Sequence, residues 1–128
     1  MPHDLQMLVW STALAIVQML IFVFIAMFQV GVPKLAGNRD DMPELTGFTK
    51  RANRGHLNML ENLVLFAIVV IVAHVTGRAN ATTALGATIF FWARVVYALV
   101  YLIGVPWLRT AIWGVSFAGI LLILGQLL

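Results

Sequence analysis

The chain of 128 residues contains no cysteine. That excludes a disulfide framework, a thiol nucleophile of the protein's own and a thiolate metal site. Charge is scarce too: 10% of residues are charged, against 62% hydrophobic. Ordinary globular domains carry about 25% charged residues, so this composition is that of an integral membrane protein. Three scattered histidines, His3, His56 and His74, show no ligand spacing, and no metal site is expected. No Ser-His-Asp arrangement, phosphate-binding glycine loop or paired-carboxylate acid/base site is present. The net charge of +3 is modest, and its basic residues lie beside apolar runs, which gives nucleic-acid binding no support. The start, Met1-Pro-His-Asp4, lacks a basic leader region. The apolar run behind it is too long for a signal peptide, so it reads as a retained span.

What is present is four long apolar runs, read as one four-span domain over residues 1–128. The first, about 5–32, carries no formal charge and exceeds the ~20 residues that a spanning helix needs. Gly31, Pro33 and Gly37 mark its end. A polar loop follows, with Lys34, Asn38, Arg39, Asp40, Asp41, Pro43 and Glu44. The second span covers about 47–75, the third 81–103 and the fourth 107–128. Turns at Thr76–Asn80 and Gly104–Pro106 separate the last three, and Pro106 suits the first turn of a helix. Such short connections imply antiparallel neighbours, so the expected fold is an all-α, up-down four-helix bundle. Lys34, Arg39, Lys50, Arg51, Arg54 and Arg109 fall on one side, and Arg78 alone on the other. The positive-inside rule then places loops one and three in the cytoplasm and both termini outside. Trp10, Trp107 and Trp113 are either interfacial anchors or ordinary lipid-facing aromatics.

Two polar stripes interrupt the apolar runs. Arg54, Asn58, Glu61 and Asn62 recur at i, i+4, i+7 and i+8 in the second span, and Arg51 joins them. Arg94, Tyr97 and Tyr101 recur at i, i+3 and i+7 in the third. At about 100° per residue each set shares one helix face. Ionisable groups inside a membrane are costly and are usually functional. Glu61 reads as the only carboxylate embedded in the spans, which makes an Arg94–Glu61 ion pair the economical arrangement. Either that pair only pins the bundle, or the surrounding Arg54, Asn58, Asn62, Tyr97 and Tyr101 form a binding site with it. A cationic mouth with an acidic residue deeper in suits an amphoteric ligand bearing carboxylates and an amine. Arg109 lies in the first turn of the fourth span. It either stabilises a bound anion or thiolate together with Tyr101, or snorkels to the interface. Lys34 is either a solvated charge or a contact to a ligand carboxylate. Ser11, Gln18 and Gln29 share a face of the first span and read chiefly as hydrogen-bonding across helices.

The run Arg51-Ala-Asn-Arg54-Gly-His-Leu-Asn58-Met-Leu-Glu61-Asn62, with the later series Arg94, Tyr97, Tyr101 and Arg109, resembles the signature of the MAPEG superfamily. These are the membrane-associated proteins in eicosanoid and glutathione metabolism, and the compact loops are similar to the bacterial branch. The resemblance spans essentially the whole chain. It implies a homotrimer with glutathione bound between subunits near the cytoplasmic face, and fits a bacterial inner membrane. Arg54, Asn58 and Glu61 match glutathione-binding positions on the second span, beside Arg51. Arg94 and Tyr97 match those on the third, with Lys34 as a further basic contact. Tyr101 matches a third such position on that span, and Arg109 matches the arginine assigned to the thiol. Gly55 stands where alanine is usual and Asn53 where glutamine is common; neither change removes a ligand group. The implied function is a glutathione-dependent transferase or peroxidase acting on lipophilic electrophiles. A non-catalytic lipid-binding or accessory protein is the alternative, and a small transporter a third reading.

Overall fold

The computed structural model describes residues 1–37 and 45–128. Arg39 and the other polar residues of the first loop from Asn38 to Glu44 lie outside them. Five helices occur in order: α1 (His3–Val30), α2 (Val32–Ala36), α3 (Gly47–Val75), α4 (Ala81–Ile103) and α5 (Pro106–Leu127). Four of them, α1, α3, α4 and α5, are long and apolar enough to cross a membrane. The protein is an all-α four-helix bundle. At 1.5 Å per residue α1 is about 42 Å long, more than the ~30 Å hydrocarbon thickness.

The helix ends are set by local chemistry. Gly31, at φ +86°, ends α1 in a backbone state that other residues rarely adopt and redirects the chain into the short α2. The Asn80 side chain accepts from the backbone N–H groups of Thr82 and Thr83, while the Thr83 hydroxyl accepts from the Asn80 N–H. This capping box starts α4. Gly104, in the left-handed region, stops it, and Pro106 opens α5.

The core fills the space among α1, α3, α4 and α5. Phe66 and Phe90 stack with ring centroids 4.0 Å apart, surrounded by Met59, Val70, Ala87 and Ile123. Between α4 and α5 the backbones nearly touch at Gly86 and Gly119. A Cβ on Gly86 would lie 2.5 Å from the Gly119 carbonyl oxygen, and one on Gly119 would lie 2.6 Å from the Gly86 oxygen. Small residues permit this approach, and in a bilayer such packing holds helices together. Gly86→Ala is expected to force the two helices apart and cost about 2 kcal/mol. The control is Gly114→Ala, whose Cβ would enter open space. Thermal unfolding of the two variants in detergent checks this, with a loss expected for Gly86→Ala alone.

One end of the bundle is closed by polar contacts. Asp4, only 3% exposed, meets His74 Nε2 at 2.5 Å through Oδ1 and accepts from the Thr83 hydroxyl at 3.2 Å through Oδ2. His3 Nε2 lies 2.6 Å from the Thr88 hydroxyl. Arg78 donates to the Leu127 carbonyl, and Asn80 to the Gln126 side chain. These contacts join α1, α3, α4 and α5. Glu61, expected as the sole embedded carboxylate, is exposed, and among the described residues the buried carboxylate is Asp4.

Candidate functional site

The opposite half of the bundle carries the two polar stripes, and α4 supplies its centre. Arg94 is 1% exposed, and its Nε, Nη1 and Nη2 all lack a hydrogen-bond partner within the described chain. Its guanidinium carbon lies 4.0 Å from the centroid of the Tyr97 ring. The Tyr97 and Tyr101 centroids are 5.5 Å apart, and the guanidinium carbon of Arg109 lies 4.6 Å from that of Tyr101. A ladder results, cation–ring–ring–cation, that runs down α4 and crosses to the first turn of α5. Spacings of three, four and eight residues create it, because the turn at Gly104 and Pro106 folds Arg109 back against α4. Cation–π contact stabilises a guanidinium by about 2 kcal/mol when desolvated. That offsets only part of the cost of burying a charge. Arg94 therefore retains a demand for an anion.

Glu61 does not meet that demand, contrary to the expected ion pair. It is exposed on the outer surface of α3, and no Arg94–Glu61 contact forms among the described residues. The reason is the rotation of α3. Ala52, Gly55, Met59, Phe66, Val70 and Ala73 are buried and fix the inward face. At about 100° per residue, Arg54 and Glu61 then point nearly the opposite way. Asn58 and Asn62 flank the boundary, where the Asn62 Nδ2 donates to the Asn58 carbonyl at 2.8 Å and to its Oδ1 at 3.1 Å. The α3 stripe thus faces outward, whereas Arg94, Tyr97 and Tyr101 of the α4 stripe are buried within the chain. Arg94, Tyr97, Tyr101 and Arg109 come together; Arg54 and Glu61 face outward, away from them.

Arg51 takes a third position. Its Nε donates to the Leu102 carbonyl at 3.1 Å, and its side chain lies against Gly104. A cation at a helix C-terminus satisfies an orphan carbonyl and the helix dipole. Arg51 thereby clamps the start of α3 to the end of α4. Lys34 is exposed on α2. His56 is turned inward, stacked on Phe22 at 5.0 Å and bonded to Asn53 Oδ1 at 3.1 Å, away from the outward stripe. In α1, Gln29 exchanges hydrogen bonds with Thr46 ahead of α3, as a cross-helix role requires. Ser11 Oγ and Gln18 Oε1 have no such partner.

Fold and site together define an integral membrane helical bundle with a buried arginine–tyrosine ladder in one half. The chain belongs to the MAPEG family, whose model matches residues 7–128. No curated protein and no solved structure matches it. Family membership places it among the membrane proteins of glutathione and eicosanoid metabolism.

Proposed function

We propose that the protein is a membrane-bound, glutathione-dependent transferase or peroxidase acting on lipophilic electrophiles. The observation that carries this reading is Arg94: a buried guanidinium with three unpaired nitrogens, in a ladder that ends at a second arginine. The residues fit glutathione, a peptide with two carboxylates, an amine and a thiol. Arg94 holds a carboxylate, with Tyr97 beside it. Arg109 and Tyr101 stabilise negative charge on the thiol at the N-terminus of α5. Glutathione itself supplies the nucleophile; the chain supplies orientation and field.

The outward stripe completes the proposal. Arg54, Glu61 and the half-buried Asn58 sit on an apolar helix surface where lipid offers them no partner. A second copy of the chain covers that surface in a homotrimer, and the ligand lies between subunits, touching Arg51, Arg54, Asn58 and Glu61 from one side. Lys34 adds a cation at the same mouth. In this reading loops one and three are cytoplasmic, both termini lie outside, and the membrane is a bacterial inner membrane.

Glu61→Ala is a clean test, because Glu61 is exposed and its removal leaves the subunit's packing untouched. Calorimetry of glutathione binding to detergent-purified protein is expected to show wild-type binding and roughly a ten-fold or greater loss in Glu61→Ala, the value of one charge-assisted hydrogen bond. Absence of wild-type binding would overturn the proposal. The apolar cleft described next favours the second reading, a non-catalytic lipid-binding protein; glutathione and lipid binding without turnover of any electrophile would establish it.

A further inference from the structure

Among α1, α3 and α4, in the half of the bundle that holds Tyr101, lies a cavity of about 170 Å³. Its wall is apolar apart from Gln18 and the Tyr101 ring. Val17, Ile21 and Leu99 line it and are exposed, so its opening faces lipid between α1 and α4. The Gln18 Oε1 is buried and has no hydrogen-bond partner among the described residues. In hydrocarbon no water is at hand to satisfy such a group. A cross-helix hydrogen bond, the ordinary role of glutamine in a span, is not made here.

We infer that this cavity is a ligand site within a single subunit, loaded from the bilayer. Its ligand is a lipophilic molecule with a hydrogen-bonding substituent, which pairs with the Gln18 amide. Volume sets the size: an apolar cavity of about 150 Å³ holds a benzene ring, so this one takes a single ring or a chain segment of similar bulk. Tyr101 forms part of the wall and also stacks under Arg109. The ligand and the cationic ladder therefore share one aromatic ring. That the ligand is the electrophile rests on the function proposed above; that the cavity binds it does not.

The test is photolabelling in lipid nanodiscs with two probes, phenyl trifluoromethyl diazirine and its hydroxymethyl derivative. Saturable labelling is expected at Gln18, Ile21, Ala98 and Leu102. Ala98→Phe, which fills the cavity, is expected to remove it. Gly55→Ala is the milder variant. Its Cβ would lie 3.7 Å from the Tyr101 ring, an ordinary contact that leaves the fold intact while narrowing the cavity. It should weaken saturable labelling roughly three-fold, the value of about one methylene of lost contact. Gln18→Leu should weaken the hydroxymethyl probe roughly five-fold, the value of one hydrogen bond, and leave the plain probe unchanged. Labelling that does not saturate, spreads equally over exposed Val115 and Leu121 of α5, or ignores Ala98→Phe and Gly55→Ala would overturn the site. Calorimetry with glutathione on the same samples separates the two proposals. Saturable labelling without glutathione binding would sink the catalytic reading and leave the cavity standing; glutathione binding without saturable labelling would sink the cavity alone.

Discussion

Arg94→Met is expected to raise the stability of the ligand-free protein while abolishing its binding of glutathione. The two effects have one cause. Arg94 is fully enclosed, and none of its three nitrogens finds an acceptor among the described residues. The Tyr97 ring face returns only part of the desolvation cost. Replacing a buried charge by an apolar side chain of similar volume is often neutral or stabilising by about 1–4 kcal/mol. Losing a charge-assisted contact to a ligand carboxylate removes about 3 kcal/mol of binding, or more than a hundred-fold in affinity. Thermal unfolding in detergent, with and without glutathione, reads both. Wild type should gain stability on adding the ligand, and Arg94→Met should start higher and gain nothing. A variant that starts lower would mean that a carboxylate from a second copy already neutralises Arg94, which would make the residue a pin between subunits.

The sequence made α4 legible and α3 misleading, for a common reason. Along α4 the polar residues occupy the buried face, so their spacing of three and four residues predicts which side chains meet. Along α3 they occupy the outer face. In a membrane both faces of a helix are apolar, and hydrophobicity alone cannot say which one packs inward. The informative signal was residue size: Ala52, Gly55 and Ala73 are small, and all are buried. Small residues mark close helix approach in a bilayer. Pairing Arg94 with Glu61 assumed that charges neutralise within one chain, whereas the rotation set by those small residues sends Glu61 outward. The cavity beside Tyr101 was not legible, since it depends on how three separate helices converge around Gly55 and Gln18.

Asp4 was missed for a different reason: its partners lie 70 and 79 residues away, and no local pattern announces it. Its loss should be among the most damaging single changes in the chain. One carboxylate receives the His74 ring and the Thr83 hydroxyl, and its Oδ1 also accepts from the Leu5 N–H at 3.1 Å. It thereby joins the start of α1 to the end of α3 and the start of α4. Thr83 is at the same time half of the α4 capping box. Asp4→Ala leaves the part-buried His74 imidazole without its carboxylate, at a desolvation cost, while the Thr83 hydroxyl keeps the Asn80 carbonyl at 2.9 Å as its acceptor. The expected loss is about 3 kcal/mol, in the range for breaking a buried polar pair, or roughly 10 °C in the unfolding midpoint. Asp4→Asn keeps an acceptor for Thr83 and should lose about half as much. Because the clasp sits at the end of the bundle away from the ladder, glutathione affinity measured well below the midpoint should stay at the wild-type value in both variants. A fall in affinity at full folding would show that the α1–α3–α4 junction sets the geometry of the distant ladder, and that the two ends of the bundle move as one body.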